Sequence, residues 1–361
     1  MTDLAENTDI IIIGGGIAGA GFAAEASQSA DVILLEAEEA FGYHATGRSA
    51  AMFEPNYGNE VIRYVTRASR SAFEEIGALS PRGVLMVADE NRRHLMPEAN
   101  SSDISELGIE DAVTLVPILN SSTAVSAVLL TSACDIDVDM VFQAYLRRAR
   151  KNGAKLFNRS RVERIERIDA GWRVSAGGRD FRAPVIVNAA GAWADQVARM
   201  AGVSPFGIQP FRRSVARLPA PGGHDVKDWP MLLSVTEDWY AKPDAGKWLV
   251  SPAEEDPVEA MDAWADDMVL AEGLARYQDF VTEEVTRVES SWAGLRSFAP
   301  DRTPVVGFAP NVEGFFWLAG QGGYGVQTSP AMSVFAADLL AGRDTGFDAD
   351  IIAGLSPERR T

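Results

Sequence analysis

The chain has 361 residues, 47% of them hydrophobic and 23% charged, the make-up of a soluble globular protein with one large domain or two. A net charge of −18 argues against nucleic acid and against an anionic membrane surface as partners. The one cysteine, Cys134, excludes disulfides within the chain and cysteine-based zinc sites. A short acidic start and the lack of a long apolar run predict a cytoplasmic protein with no membrane span.

The first forty residues are the most informative. Ile10-Ile11-Ile12-Ile13 runs into Gly14-Gly15-Gly16-Ile17-Ala18-Gly19, and a second apolar run, Val32-Ile33-Leu34-Leu35, ends in Glu36. This predicts a buried strand, a glycine turn, a helix from about Ala18 to Ser27 and a second parallel strand. In the G-x-G-x-x-G frame, Gly14 allows the tight turn, Gly16 lets the backbone approach a pyrophosphate, and Gly19 lets helix and strand pack closely. The helix N-terminus offers N–H donors to phosphate. Glu36, about twenty residues on, can accept hydrogen bonds from ribose hydroxyls and would repel a 2′-phosphate, so FAD or NAD is favoured over NADP.

Further along, Leu85 to Asn120 alternates apolar and polar stretches, including Asn100-Ser101-Ser102-Asp103, and reads as a peripheral region of mixed structure. Asp137 to Asn152 is predicted as a helix with Val138, Val141, Phe142, Tyr145 and Leu146 on one face and Gly153 ending it. Two strands follow, Val162 to Glu166 and Trp172 to Ser175, with a Gly-Gly turn after the second. Val185-Ile186-Val187 opens into Asn188-Ala189-Ala190-Gly191-Ala192-Trp193 and a helix, which reads as a return to the first sheet. Pro230 to Ser251 reads as an antiparallel hairpin, and antiparallel strands within an α/β chain suggest an inserted second domain. A strand, Phe315 to Ala319, then leads through Gly320-Gln321-Gly322-Gly323-Tyr324-Gly325 into a helix from about Gln327 to Leu340.

Four of these segments, the N-terminal fingerprint, Gly42-Tyr43-His44-Ala45-Thr46-Gly47-Arg48-Ser49-Ala50-Ala51, Asn188 to Trp193 and Gly320 to Gly325, together resemble the D-amino acid oxidase family of FAD-dependent amine oxidoreductases. The D-arginine dehydrogenase branch is the most similar. The likeness covers nearly the whole chain and extends to Gln209-Pro210, Arg212-Arg213-Ser214, Trp239-Tyr240, Trp292 to Phe298 and Gly314 to Trp317. It implies an α/β fold in which a Rossmann-like FAD-binding domain (residues 1–80, 137–205 and 292–361) carries an inserted antiparallel-sheet substrate domain (81–136 and 206–291). It also implies non-covalent FAD, because covalent members place a cysteine near the flavin in the C-terminal part and Cys134 is the only one here.

By the same resemblance, Gly14, Gly16, Ile17, Ala18, Gly19 and Glu36 serve the ADP half. Arg48, Ser49 and Ala50 run beside the pyrophosphate and ring, the Val162 backbone meets the adenine, and Gly191 sits on the crossing strand. Gly322, Gly323, Tyr324, Gly325 and Gln327 form the turn over the pyrimidine edge of the flavin, where N–H donors suit the charge of the reduced ring. Arg296 matches the carboxylate-binding arginine and Arg213 a second pocket arginine, since a planar guanidinium binds a carboxylate in a bidentate pair. Tyr57 and Tyr240 match tyrosines that cover the substrate, and the Gly323 backbone would accept a hydrogen bond from its amine. Of the three histidines, His94 and His224 read as loop residues and His44 as structural.

The chain departs from the branch in its side-chain pocket. The branch holds a guanidinium with a glutamate shortly after Leu-Ser-Pro-Arg; here Leu79-Ser80-Pro81-Arg82 is followed by Gly83 and Val84. Met52 and Glu54 stand where the branch has a histidine and a threonine. Met52, Val84, Met231 and Leu233 would make an apolar, adaptable pocket for neutral D-amino acids, while an inward Glu54 would restore a partner for lysine or arginine. The implied reaction is oxidative deamination of a D-amino acid. Hydride passes from Cα to flavin N5, the imino acid hydrolyses to a 2-oxo acid and ammonia, and electrons go on to oxygen, a quinone or a dye-like acceptor. Three alternatives stand beside it: oxidation of secondary amines or glycine (sarcosine-, proline- or glycine-type) on the same fold, an NAD-dependent dehydrogenase, and a non-catalytic flavoprotein subunit.

Overall fold

The computed structural model describes residues 5–98 and 103–359. The polar tract at 100–102 lies outside the described residues. Four successive isoleucines, Ile10–Ile13, are buried on both faces and form the middle of a sheet. Its spatial order is Lys155–Phe157, Val32–Leu35, Ile10–Ile13, Val185–Asn188, Phe315–Ala319 and Val305–Phe308. All neighbours run parallel except the last pair. Unbroken apolar strands suit this position, because a parallel sheet is covered on both sides. Ile10 and Ile12 pack under the helices Ile17–Ala26, Val138–Lys151 and Gly325–Leu340. Ile11 and Ile13 pack against Val162–Ile168, Gly171–Ala176 and Arg179–Ala183, which form a separate sheet with Glu6–Asn7. The helix Val138–Lys151 is capped by the Asp137 carboxylate, which accepts from the Met140 N–H, and Gly153 turns the chain out at φ +95°.

The expected hairpin is present as Met231–Ser234, Tyr240–Asp244 and Lys247–Ser251, with Ala245 and Gly246 both at positive φ in its tight turn. It is part of a much larger sheet. Gln209–Leu218 and Ser290–Phe298 pair antiparallel from Gln209↔Phe298 to Arg217↔Ser290, and Gln209–Leu218 also pairs with Lys247–Ser251. On the far side, Val84–Ala88 pairs parallel with Met231–Ser234 and antiparallel with Ser126–Leu130. The stretch from Leu85 is therefore not peripheral. Leu85 and Val87 are fully buried, and Ile104–Leu107 adds the edge strand beside Ser126–Leu130. The architecture is a Rossmann-like region with an antiparallel-dominated second sheet.

Side chains alternate across a strand, so register decides what this sheet shows to each side. Leu85, Val87, Ala216, Leu232, Ala241 and Val250 share one face and bury it with Leu270 and Tyr277 of the helix Asp267–Asp279. The direct pairs Met231↔Val84 and Leu233↔Tyr240 lie on the opposite face. Arg213 lies there too. It pairs with Gly294, while Arg296 pairs with Phe211, which makes the two arginines diagonal neighbours on one face. That face looks onto the parallel sheet.

Candidate active site

A cavity of about 410 Å³ opens between this face and the C-terminal ends of the parallel strands, the place where open α/β sheets bind ligands. Every residue given a cofactor or substrate role above lines it except Gly19 and Tyr324. Gly19 acts one step back: a Cβ there would lie 2.0 Å from the Gly14 carbonyl oxygen, so only glycine lets the helix close on the turn. Tyr324 is buried behind the wall, with its ring 5.3 Å from Tyr57 and 5.9 Å from Phe298.

The glycine turn is built without spare room. Gly14 sits at φ +108°, and a Cβ on it would lie 2.3 Å from the Ala189 carbonyl oxygen. Glu36 is held before any ligand arrives: Gly15 N–H donates to its Oε2 and Glu38 N–H to its Oε1, both at 2.8 Å. Each oxygen keeps a further lone pair for a hydroxyl donor. Thr46 Oγ1 accepts from Ile17 N–H at 2.9 Å, tying the Gly42–Ala51 segment to the start of the helix. Arg48 pins the other side of that segment. Its Nη1 donates to the carbonyl oxygens of Ala263 (2.6 Å) and Ala293 (3.0 Å), and its Nη2 pairs with Asp262, whose carboxyl is held below the usual range by that bond. Bare glycine surface, fixed carboxylate and helix start together fit a dinucleotide such as FAD.

The opposite wall is different. Gly323 rests directly on Arg296, where a Cβ would lie 3.0 Å from Cζ, and a Cβ on Gly322 would strike the Phe298 ring at 2.1 Å. Arg296 Nη1 and Arg213 Nε are shut from solvent without hydrogen-bond partners. Arg213 Nη2 does reach Glu255 at 3.1 Å, and Glu255 also takes Arg302 at 2.9 Å. Burial, and then the charge of Arg296, push the Arg213 pKa down. Two guanidinium ions on one buried face repel each other, and an anion between them would relieve both. Tyr57 and Tyr240 face Arg296. Met52, Val84, Met231 and Leu233 supply apolar wall, and Glu54 stands among them.

Two side chains of the wall, Lys242 and Thr46, escape the sequence reading, as does Glu255, which pairs with Arg213. Lys242, two residues from Tyr240 and so on the same face, is buried, with Nζ 2.5 Å from Asp135 and 3.1 Å from the Ala50 carbonyl oxygen. Asp135 also receives Arg82 at 2.6 Å. A lysine is buried only when paired, and its alternation with Tyr240 was the available signal. Thr46 and Glu255 carry no such signal. His44 lines the cavity, with its ring 4.6 Å from Trp193 and its Nε2 3.2 Å from Glu38, while His94 and His224 are exposed.

Residues 9–339 match the family described as "FAD dependent oxidoreductase", and the chain belongs to it. Glycine oxidase of Geobacillus kaustophilus is 23% identical over 367 residues, covering 94% of this chain and 94% of that protein. The crystal structure of glycine oxidase from Geobacillus kaustophilus superposes with a TM-score of 0.82 at 22% identity, covering 99% of this chain and 100% of that one. L-Proline dehydrogenase from P. horikoshii superposes with a TM-score of 0.79 at 22% identity, covering 94% and 95%. Among the described residues, no helix is long and apolar enough to cross a membrane.

Proposed function

We propose that this protein holds FAD non-covalently and oxidises the amine of a small amino acid whose carboxylate sits on Arg296 and Arg213. The observation that carries the reading is the pair of sealed, unpartnered donors, Arg296 Nη1 and Arg213 Nε, beside the Gly322–Gly323 turn. Buried donors without acceptors cost about 1–3 kcal/mol each, and a substrate carboxylate removes that cost. FAD, when bound, supplies the hydride acceptor. The chain's own contribution is orientation: the arginines fix the carboxylate, the Gly323 carbonyl accepts from the amine, and Tyr57 and Tyr240 close over the substrate. Cys134 lies outside the cavity wall, on the strand Cys134–Ile136, which supports non-covalent attachment. In this reading residues 1–80, 137–205 and 292–361 carry the cofactor, residues 81–136 and 206–291 the substrate, and electrons leave to oxygen, a quinone or a dye-like acceptor.

Within this class we place glycine-type and secondary-amine substrates first, because glycine oxidase and L-proline dehydrogenase match over nearly the whole chain. The second reading is a D-amino acid with a neutral side chain, as the likeness to the D-arginine dehydrogenase branch implies; the apolar wall of Met52, Val84, Met231 and Leu233 supports it. Anaerobic mixing of the yellow holoenzyme with glycine, sarcosine, proline and paired D- and L-amino acids decides between them. Bleaching by the first three alone supports the first reading, and bleaching by D-isomers with side chains supports the second. A flavin that stays oxidised with all of them contradicts amine oxidation.

A further inference from the structure

We infer that Arg302, a positioning residue outside the cavity, sets how tightly the site holds a carboxylate by engaging Glu255, which would otherwise neutralise Arg213. The inference rests on the reading that Arg296 and Arg213 hold the substrate carboxylate. Among the described residues Arg213 pairs with Glu255, whose Oε1 accepts from its Nη2 at 3.1 Å. That oxygen is shared. Arg302 Nη2 donates to it at 3.0 Å and to Oε2 at 2.9 Å, so Arg302 spans both oxygens while Arg213 has a part of one. Glu254 next to it turns elsewhere: its Oε1 accepts from Ser214 N–H at 2.6 Å, and burial raises its pKa. A full counter-ion on Arg213 would compete with an arriving anion, and a carboxylate already engaged by a second guanidinium competes less.

The backbone places Arg302 for this contact. It sits at φ +61°, a left-handed conformation that glycine adopts freely and an arginine only at a cost. Its turn is fixed by Asp301, whose carboxylate accepts from Thr303 N–H at 3.0 Å and from Arg359 Nε at 2.7 Å. Its guanidinium lies over the Phe298 ring, 3.8 Å from the centroid. Glu255 comes from a segment held as firmly, with Ala253 at φ +53° and with Asp256 and Pro257 paired to Arg212 and Phe211. Side-chain exposure falls from 44% at Arg302 through 32% at Glu255 to 13% at Arg213, so charges of alternating sign run from the surface to the clamp. Neither Arg302 nor Glu255 lines the cavity. The device therefore acts on the carboxylate alone and serves a glycine-type substrate and a D-amino acid alike.

Acetate binding to the holoenzyme at low ionic strength, read by flavin absorbance, tests this in a double-mutant cycle. Arg302→Gln is expected to weaken acetate about fivefold, the scale of a partly exposed charge pair, while Glu255→Gln alone changes it by less than about twofold. The double variant is expected to return close to the wild type, and Arg302→Lys, which keeps the charge, to stay close to it. Unchanged binding in Arg302→Gln overturns the inference. So does a loss that Glu255→Gln does not restore, or that Arg302→Lys shares, since either makes Arg302 a structural residue only. Glu255→Gln tightening acetate equally in both backgrounds also overturns it, because the two charges would then act independently. A wild-type flavin indifferent to acetate contradicts the arginine clamp itself, and the inference with it.

Discussion

The two ends of the cavity handle their polar groups in opposite ways. At the glycine turn, Glu36 and Thr46 are already engaged by backbone N–H groups of Gly15, Glu38 and Ile17, so the surface is set before a ligand arrives. At the far end, Arg296, Arg213 and Glu54 each retain a buried atom with no partner. On the proposed function, the first is a preformed cradle for a resident cofactor and the second a set of polar groups that a bound substrate would complete. The cost of the unfinished end is local strain in electrostatics, which a substrate can relieve and a resident side chain would remove.

The contrast breaks most readily at Arg296. Arg296→Lys keeps a charge but loses the planar fork, and kcat/KM for the preferred amine should fall about 1000-fold, or about 4 kcal/mol, with flavin content unchanged. At the other end, Gly14→Ala forces a Cβ onto the Ala189 carbonyl at a positive φ. Purified protein should come out colourless and about 3 kcal/mol less stable by denaturant titration. Lys242→Met should cost about 2 kcal/mol, less than a fully orphaned buried charge because Asp135 keeps Arg82.

The smallest effect is in pH. Glu54 binds its proton more tightly folded than unfolded, so its ionisation subtracts stability as pH rises from about the ordinary value of 4.5 through its raised folded value. Melting curves of wild type and Glu54→Gln should therefore converge in acid. At neutral pH they should separate with the variant higher, by roughly 1–3 °C.

What was legible in the chain follows the same division. Ile10–Ile13, the glycines and Glu36 lie within one local unit, and their chemistry is read from spacing. The helix Val138–Lys151 and the strand Phe315–Ala319 were equally plain from their apolar faces. Gln209–Leu218 was not, because the polar side chains of Gln209, Arg212, Arg213, Ser214 and Arg217 interrupt its pattern and its partner, Ser290–Phe298, lies far along the chain. The stretch from Leu85 reads as peripheral because the polar tract after it hides an interior strand of the second sheet, Val84–Ala88. Individual site residues came from a resemblance. That Arg213 and Arg296 share a face, and that Glu54 has an unmatched oxygen, needed the register and packing of distant strands.

Acetate tests the central contrast most directly, since it is a carboxylate with neither amine nor side chain. Titrated into the holoenzyme, it should perturb the flavin spectrum saturably in the wild type, and Arg296→Ala should abolish that response while staying yellow. A wild-type spectrum indifferent to acetate, or a response that persists without Arg296, would contradict the account of these arginines as an unfinished anion site.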